Sequence, residues 1–413
     1  MRIAIVGAGI SGMVCGWMLH RDHDLVVYEA NDYVGGHTHT VPVELSGRRY
    51  EVDTGFIVYN ERTYPFFTEI LRRLGVATQP AEMSFSVRAD ADDLEYNGTS
   101  LNGLFAQRRN LIRPSFLRML HDILRFGREA LSAVRDDSGP RTIGEFVAER
   151  RYGRGFVAHY LEPMGAAIWS CPRGTFLQFP LRFVVEFMHN HGLLSVSGRP
   201  QWRVIRGGSA RYVEPMVAGF RDRIRLRAPV RSIRRSPEAV EVTDAGGPER
   251  FDHVILGCHS DQALGMLADA TPVERELLSA FPYQPNDAVL HTDVSLLPRR
   301  RRAWAAWNYR LHPREEDRAT VTYDMNILQG LDAPETLCVS LNDTARIDPD
   351  RILGRHRYTH PLFAAGRAEA QRRHLEVVNV NRTSFCGAYW RYGFHEDGVR
   401  SALAVCQALG ATL

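Results

Sequence analysis

The chain opens with Arg2-Ile3-Ala4-Ile5-Val6-Gly7-Ala8-Gly9-Ile10-Ser11-Gly12, and this stretch decides the fold. The apolar, β-branched run from Arg2 to Val6 predicts a strand that is buried on both faces. Gly7-x-Gly9-x-x-Gly12 then gives the glycine spacing of a tight turn into a helix, with room for a pyrophosphate beside the backbone. Phosphates bind at such a helix N-terminus because its N–H groups and dipole attract negative charge. The stretch therefore predicts the start of a dinucleotide-binding βαβ unit.

The segments that follow distinguish between the possible dinucleotides. A second apolar strand, Leu25 to Tyr28, ends at Glu29, whose carboxylate is placed to accept hydrogen bonds from an adenosine ribose. Gly35-Gly36 comes soon afterwards and lets the chain fold back over the diphosphate of a long, buried cofactor. Gly55, in Asp53-Thr54-Gly55-Phe56-Ile57, permits close backbone approach to a flat ring. Taken in series, these glycines favour FAD over a nicotinamide cofactor.

A third motif lies near the C-terminus, in Gly393-Phe394-His395-Glu396-Asp397-Gly398-Val399. Asp397-Gly398 is predicted to open the last helix, which would run to about Leu409. A helix N-terminus aimed at the cofactor stabilises the negative charge that develops at the N1–O2 edge of a reduced flavin. The motif therefore supports the same cofactor from the other end of the chain.

Composition excludes several classes of protein. Of 413 residues, 44% are hydrophobic and 24% charged, which is typical of a folded globular chain and not of a disordered or coiled-coil one. The net charge of +3 is too small for a general nucleic-acid binder. No apolar run is long enough to span a membrane, and the six separated cysteines predict reduced thiols in the cytoplasm. The 16 histidines show no metal-ligand spacing, so no metal site is expected.

The basic residues have an unusual composition. All 51 of the Lys and Arg residues are arginines, and the chain contains no lysine. No lysine Schiff base, lysine general base or lysine-held water can therefore take part in the chemistry.

The three motifs, in this order, resemble the FAD-dependent amine oxidase and phytoene desaturase superfamily. Asp53 to Pro65, Leu104 to Asn110 and Gly393 to Gly398 resemble, more narrowly, a bacterial group of predicted NAD/FAD-binding proteins that includes a furan fatty acid desaturase. The expected fold class is α/β, with an FAD-binding Rossmann-like domain of the glutathione-reductase/amine-oxidase type and an inserted α+β substrate domain. The expected FAD domain comprises residues 1–85, 200–285 and 375–413, and the expected substrate domain comprises 86–199 and 286–374.

The resemblance also implies a set of contacts to a non-covalent FAD. The expected cofactor-binding residues are Gly7, Gly9, Ile10, Ser11, Glu29, Gly36, His37, Thr38, Gly55, Phe56, Val230, Gly398 and Val399. Gly36-His37-Thr38 departs from the Gly-Gly-Arg that the superfamily often has, so the salt bridge of that arginine to the diphosphate or ribityl chain is not carried over. The superfamily's covalent flavin link uses a cysteine near the C-terminal motif, and neither Cys386 nor Cys406 obviously reaches the ring.

The sequence indicates the substrate less directly than it indicates the cofactor. Many amine oxidases of the superfamily place a lysine, through a water, near flavin N5, and this chain has none. The absence of lysine, the basic apolar segment 108–128 and the resemblance to a group that includes a fatty acid desaturase together imply the substrate. We expect hydride transfer from an apolar, unsaturated or methyl-branched fatty acyl chain, by desaturation or isomerisation, with oxygen or a quinone as electron acceptor. An amine oxidase and a non-catalytic flavin protein are the alternatives.

Six side chains are candidates for the chemistry. His395 and Glu396 lie next to the expected flavin contact and are predicted as catalytic acid–base groups, with helix capping as their alternative role. Four aromatic residues are predicted to line the substrate cavity, although aromatics on strands are often simply core: Tyr59, Trp307, Tyr309 and Tyr323.

A lipid substrate would also require contact with a membrane surface. Residues 108–128 contain six arginines and one acid, Asp122. A helix starting at Pro114, with Phe116 on its apolar face, would form a basic amphipathic helix that binds anionic lipid at the inner face of the plasma membrane. The alternative is a soluble helix with Arg118–Asp122 and Arg125–Glu129 pairs. The run from Arg299 to Arg302 is interpreted as a solvated loop.

Overall fold

The computed structural model describes residues 1–135, 142–195, 197–312, 318–362, 364 and 366–413. The strands in this part of the chain are β1 Arg2–Val6, β2 Asp24–Tyr28, β3 Thr40–Leu45, β4 Arg48–Asp53, β5 Val58–Asn60, β6 Thr78–Pro80, β7 Phe85–Ala89, β8 Leu94–Asn97, β9 Trp202–Ile205, β10 Ile224–Arg225, β11 Ser232–Arg235, β12 Val240–Asp244, β13 Gly247–Phe251, β14 His253–Leu256, β15 Tyr283–His291, β16 Trp307–Leu311, β17 Val321–Asp324, β18 Cys338–Leu341, β19 Ile352–Pro361 and β20 Thr383–Phe385. The α-helices are α1 Ile10–Leu19, α2 Pro65–Arg73, α3 Leu101–Leu104, α4 Pro114–Ala133, α5 Ile143–Glu149, α6 Arg154–Phe156, α7 Glu162–Trp169, α8 Arg173–Phe176, α9 Leu181–Asn190, α10 Val213–Val217, α11 Ser260–Met266, α12 Pro272–Ser279, α13 Met325–Leu328, α14 Arg367–Arg372 and α15 His395–Ala408.

A five-stranded parallel sheet carries the N-terminal motif. Its order is β10-β2-β1-β14-β20, and every neighbouring pair is parallel. Along β1, Ile3 and Ile5 face one core with α1 and α15, whereas Ala4 and Val6 face a second core on the other side. Both faces of β1 are therefore buried, which explains why its sequence is continuously apolar. This Rossmann-like α/β sheet confirms the predicted fold class.

The glycine turn after β1 requires its glycines for two different reasons. Gly7 has a φ of +98°, a conformation that side chains disfavour. A Cβ on Gly12 would lie 1.9 Å from the carbonyl oxygen of Gly7. Helix α1 therefore packs directly on the turn that precedes it, without an intervening side chain.

A seven-stranded sheet forms the second layer of the molecule. Its order is β19-β15-β18-β17-β16-β7-β8, and it is antiparallel except where β16 runs parallel to β7. Its core side chains, such as Val87 and Val339, belong to one large apolar cluster with helical residues such as Phe126 and Phe146. The strands of the parallel sheet lie within the predicted FAD segments. The predicted domain boundaries themselves stay a prediction.

The last helix begins earlier than the sequence predicts. It starts at His395, one turn before Gly398. The reason is that the Asp397 carboxylate accepts a hydrogen bond from the backbone N–H of Phe394 at 2.9 Å. Asp397 therefore sits inside the first turn of α15 and braces the start of the helix, instead of preceding it.

Two further features bear on the sequence predictions. Within the described ranges, no helix is long and apolar enough to cross a membrane. All six cysteines are free, and the Sγ atoms of Cys15 and Cys386 lie 3.9 Å apart between α1 and β20. Hydrogen bonding to Cys386 and Cys406, together with burial, holds the pKa of Cys15 well above its ordinary value.

The packing at Gly12 predicts a sharp difference between two glycine substitutions. Gly12→Ala should lower the free energy of unfolding by about 2 kcal/mol or more, because the new methyl group meets a backbone oxygen that cannot move aside. Gly174→Ala, in α8, places its methyl group in open space and should change stability by less than about 0.5 kcal/mol. Urea unfolding of the apoproteins measures both. Equal stability of the two variants would contradict this account of the turn.

Candidate active site

Two glycine loops form a cradle at the N-terminus of α1. The N–H of Gly35 donates to the carbonyl of Ala8 at 2.9 Å, and a Cβ on Gly36 would lie 3.1 Å from the Cα of Gly9. Gly9 itself has nothing within 4 Å of the position that a side chain would take. The first N–H groups of a helix have no partner inside the helix, so they are available to a phosphate. The loops therefore leave backbone donors and open space where the sequence predicts the diphosphate.

Glu29 supports one end of this cradle. Its carboxylate accepts hydrogen bonds from the N–H of Ala8 at 2.7 Å and from the N–H of Asn31 at 2.9 Å. A carboxylate has about four acceptor positions, so capacity remains for ribose hydroxyls. The carbonyl of Glu29 also accepts from the N–H of Ala228, which brings the half-buried Val230 segment to the same end. This is where an adenosine would be held.

The N-terminus of α15 meets that of α1. Ser11 Oγ donates to the carbonyl of Gly398 at 3.0 Å. A Cβ on Gly398 would lie 2.8 Å from Ile10 Cγ2 and 2.9 Å from Ser11 Oγ, so only glycine allows this approach. Val399, by contrast, turns its side chain into the core beside α1. Two helix N-termini therefore start side by side at the cradle, and their dipoles act on the same region.

Gly55 brings the next segment against the cradle. A Cβ on Gly55 would lie 2.2 Å from the carbonyl oxygen of His37, and the N–H of Phe56 donates to that oxygen at 2.7 Å. The ring of Phe56 stacks on the imidazole of His395, with the ring centres 3.7 Å apart and nearly parallel planes. The predicted cofactor residues and the predicted catalytic histidine therefore converge.

His395 belongs to a buried chain of three polar side chains. Its Nε2 lies 2.7 Å from Tyr212 Oη, and Tyr212 Oη lies 2.6 Å from Thr38 Oγ1. Burial, with a smaller effect from His37, lowers the pKa of His395 to about 3. Burial raises the pKa of Tyr212 as well. The three side chains are therefore uncharged near pH 7, and His395 is a weak base at this pH.

Glu396 faces a different part of the molecule. Its carboxylate accepts from the backbone N–H groups of Phe67 at 2.9 Å and Phe66 at 3.3 Å, at the start of α2, and from Arg400 Nε at 3.1 Å. Burial raises the pKa of Glu396 to about 6, although these backbone hydrogen bonds and Arg400 act in the opposite direction. These contacts favour the alternative role that the sequence left open, in which Glu396 joins the ends of two helices.

Five histidines form a cluster beside the cradle, which we call the histidine cluster: His37, His39, His259, His356 and His360. The imidazole centre of His37 lies 5.4 Å from that of His360 and 6.1 Å from that of His259. Burial lowers the pKa of His37 to about 4, of His259 to about 4 and of His360 to about 3. These rings are therefore neutral, and no group in the described ranges has the arrangement of a metal site.

His37 has a polar atom without a partner in this cluster. Its Nε2 is buried and has no hydrogen-bond partner in the described part of the chain. A neutral imidazole at this position can supply a hydrogen bond but not a salt bridge. The atom, the glycine cradle and the paired helix N-termini together fit an FAD whose diphosphate and ribityl chain lie along these loops.

The predicted substrate residues fall into two separate cores. Trp307 and Tyr323 are cross-strand neighbours on β16 and β17, with perpendicular rings whose centres are 4.9 Å apart. Tyr309 lies two residues along β16 in the same cluster. Tyr59 instead packs on Phe67 in the core of the parallel sheet. The structure therefore brings together three of the four aromatic candidates.

Sequence reasoning missed a buried carboxylate that positions this region. Asp53 accepts hydrogen bonds from the backbone N–H and the hydroxyl of Ser209 at 2.8 Å each, and from the hydroxyl of Thr40. Burial raises its pKa to about 7, against the effect of these hydrogen bonds. The signal in the sequence was Gly207-Gly208, which precedes Ser209. Both of these glycines have positive φ, and a Cβ on Gly208 would lie 2.4 Å from Thr40 Cγ2.

A glycine cradle between two helix N-termini, next to a seven-stranded sheet, is the arrangement expected of an FAD-dependent oxidoreductase. The family model described as flavin containing amine oxidoreductase matches residues 10–294, and the chain belongs to this family. This result confirms both the superfamily and the FAD cofactor that the sequence predicts. No curated protein matches the chain.

Solved structures share the fold over nearly their whole length. A CLA-producing fatty acid isomerase from P. acnes is 16% identical, with a TM-score of 0.69 and coverage of 99% of this chain and 98% of that one. Cyclohexylamine oxidase from Brevibacterium oxydans IH-35A is 18% identical, with a TM-score of 0.69 and 99% coverage of both chains. Wild-type putrescine oxidase bound to putrescine is 15% identical, with a TM-score of 0.66 and 99% coverage of both. At these identities the likeness establishes the fold alone.

The lowered pKa of His395 predicts a loss of stability in acid. The unfolded histidine binds a proton below its ordinary pKa of about 6.5, whereas the folded one does so only near pH 3, so stability falls as the pH falls through this window. Between pH 7 and pH 5, wild type should lose about 2 kcal/mol more than His395→Gln. Glu396 and Asp397, whose pKa values are raised, act in the opposite direction, and both proteins retain them.

Denaturant unfolding at the two pH values measures this difference. His189→Gln, which removes an exposed histidine at the end of α9, is the matched control and should follow wild type. If His395→Gln lost as much stability as wild type on acidification, His395 would not be held neutral in the folded protein.

Proposed function

We propose that the protein oxidises or isomerises an apolar fatty acyl chain that already carries a double bond or a methyl branch. The observation that carries the proposal is the absence of lysine from the entire chain, in a family where many amine oxidases use one. Bound FAD supplies the hydride acceptor for a C–H bond beside its N5 atom. An activated C–H bond is required because an unactivated alkane is too poor a hydride donor.

The protonation state of the site supports a neutral substrate. The pKa of His37 lies at about 4 and the pKa of His395 at about 3, both because of burial. An alkylammonium ion has a pKa near that of lysine, about 10.4, so these weak bases cannot take its proton effectively. Burying a cation beside neutral rings also costs free energy unless a counter-charge is present. An uncharged acyl chain avoids both costs.

His395 remains a candidate proton acceptor for a different reason. Loss of hydride from an allylic or branched carbon leaves a strongly acidic C–H bond next to an electron-poor centre. A base with a pKa of about 3 can accept such a proton, while Tyr212 and Thr38 hold the imidazole in place. For an isomerisation, the hydride would return to another carbon of the same cation before any proton is lost, so His395 takes no proton and no external electron acceptor is needed. For a desaturation, oxygen or a quinone completes the cycle.

The aromatic pair of β16 and β17 is our candidate for positioning the substrate. Trp307 Nε1 is buried and has no hydrogen-bond partner among the described residues, although its ring packs on Tyr323. Flat aromatic faces hold an apolar chain at a defined distance, which is the main contribution that a protein makes to hydride transfer. The solved fatty acid isomerase supports the proposal because this fold accepts acyl chains, and the solved amine oxidases keep a small amine as the alternative.

Anaerobic flavin reduction distinguishes these substrates. Vesicles of a methylated, unsaturated phospholipid should bleach the flavin absorbance of the holoprotein, whereas benzylamine and a polyamine should not. Rapid reduction by an amine, with no effect of the lipid, would establish the amine oxidase alternative. A bound flavin that neither substrate reduces, with the lipid recovered unchanged by mass spectrometry, would favour the non-catalytic role.

A pair of tryptophan variants tests the positioning residue. Trp307→Phe should slow lipid-dependent flavin reduction about tenfold or more, because the reacting carbon loses its defined position. Trp17→Phe, in the half-buried C-terminal part of α1, is the matched control and should reduce at the wild-type rate. Stopped-flow measurement at saturating lipid separates this effect from weaker binding. Equal rates for the two variants would remove Trp307 from the site.

A further inference from the structure

The fold joins two arginine-rich segments that are distant in sequence. Helix α3 packs on the 3-10 turn Arg301–Ala303, and a Cβ on Gly103 would lie 3.3 Å from the carbonyl oxygen of Arg302. The side-chain amide of Asn97, at the end of β8, donates to the carbonyl of Trp304 at 2.6 Å. The run from Arg299 to Arg302 is therefore part of the same surface as the segment that follows α3, at the β8 edge of the seven-stranded sheet.

Large apolar side chains are exposed on this surface. Leu101 is 76% exposed, Leu111 is 52% exposed and Ile112 is 83% exposed. Further along, α4 presents Leu117 and Leu124 to the outside. Its opposite face, with Phe116, Met119 and Phe126, is buried in the core. Exposed aliphatic side chains that lie together and are surrounded by polar groups usually mark an interaction surface.

We call the surface formed by α3, residues 105–113 and the turn Arg301–Ala303 the tip. The side chains around its exposed aliphatic residues are positively charged, whereas the charges farther along α4 are neutralised by acidic groups. Arg108 bonds only to neutral groups, the carbonyl of Phe105 and Asn102 Oδ1, among the contacts of the described residues. Arg301 lies over the ring of Trp304, with 5.0 Å between its guanidinium carbon and the ring centre. Arginine guanidinium groups match phosphate oxygens with two parallel hydrogen bonds.

Acidic groups neutralise three other arginines nearby, since Arg109 pairs with Asp93, Arg299 with Asp90 and Arg300 with Glu95. Arg113 instead donates to the backbone carbonyls of Asp92 and Asp93. Asp122, which the sequence predicts to pair with Arg118, is fully buried and accepts from the N–H of Gly153.

Asp122 also contacts Arg118 and Arg125, and the predicted Arg118–Asp122 and Arg125–Glu129 pairs both form. The soluble-helix alternative therefore describes the middle of α4. Arg108 of the tip, which lies before α4, has by contrast no acidic partner among the contacts of the described residues.

We propose that this tip docks on an anionic lipid bilayer. The docking surface consists of Leu101, Arg108, Leu111, Ile112, Arg301 and Arg302. The aliphatic side chains would enter the acyl region while the arginines pair with lipid phosphates. The proposal deepens the proposed function, on which it rests, because β8 lies two strands from β16, which carries Trp307. A substrate that leaves the bilayer here would reach the aromatic pair along one sheet.

Vesicle co-sedimentation of the holoprotein tests the docking surface. Wild type should bind phosphatidylcholine vesicles that contain phosphatidylglycerol, and more weakly as salt is raised, because salt screens the arginine contacts. Leu111→Asn combined with Ile112→Asn should weaken binding at least tenfold. Leu375→Asn is the matched control, since Leu375 is 70% exposed on a 3-10 turn after α14 and lies outside the docking surface. It should bind as wild type does.

The outcomes separate this proposal from the proposed function. Equal binding of wild type and the double variant, or equal binding to vesicles with and without phosphatidylglycerol, would overturn the docking surface. Arg108→Gln combined with Arg301→Gln should remove the preference for phosphatidylglycerol, and a retained preference would also overturn it. Vesicle binding without flavin reduction, and without a shifted double bond in the recovered lipid, would leave the docking surface intact and reject the lipid substrate. Flavin reduction by detergent-dispersed lipid, without vesicle binding, would reject the docking surface and leave the lipid substrate intact.

Discussion

The contact between α1 and the turn after β1 determines where the rest of the site can be. Because Gly12 has no side chain, the helix begins against the carbonyl of Gly7 and presents its first N–H groups at the end of β1. The same close approach lets Gly398 pack on Ser11, so that α15 begins beside α1. Steric requirements at two glycines, Gly12 and Gly398, therefore position both helix N-termini at the cradle. The histidine cluster lies beside the same cradle, with rings on the loop after the Gly-Gly pair and on β19.

Local signals in the sequence were sufficient to predict individual strands and helices. They were insufficient to predict side-chain contacts between segments that are distant in the chain. The glycine turn, β2 and the long helix α4 were predictable because each carries its own periodicity or spacing. Tyr212 was not, since its role depends on Thr38 and His395, 174 and 183 residues away in the chain. Glu396 shows the same limit, because nothing near it in sequence reveals the N–H groups of α2.

Alternation along strands is a signal that the sequence did contain. His356, Tyr358 and His360 share one face of β19 because successive side chains of a strand point to opposite faces. Their partners His37 and His39 lie on the loop after the Gly-Gly pair, so only the fold brings the five rings together. Crowding these rings in the protein interior makes protonation of any one of them unfavourable, and the cluster remains uncharged.

The absence of lysine from the chain limits the chemistry of the site as strongly as any element of the fold. Arginine stays protonated in proteins, so the chain has no side-chain amine that could serve as a base near neutral pH. The remaining bases near the site depend on burial, which raises the pKa of Asp53 to about 7 and lowers the pKa of His395 to about 3. Asp53 is occupied by Ser209 and Thr40, which leaves the weakly basic His395 beside Phe56. Under the proposed function, such a site takes a proton from a very acidic carbon but not from an ammonium group. The arginines of the proposed docking surface stay charged at any physiological pH, so their attraction to anionic lipid would not depend on pH in this range.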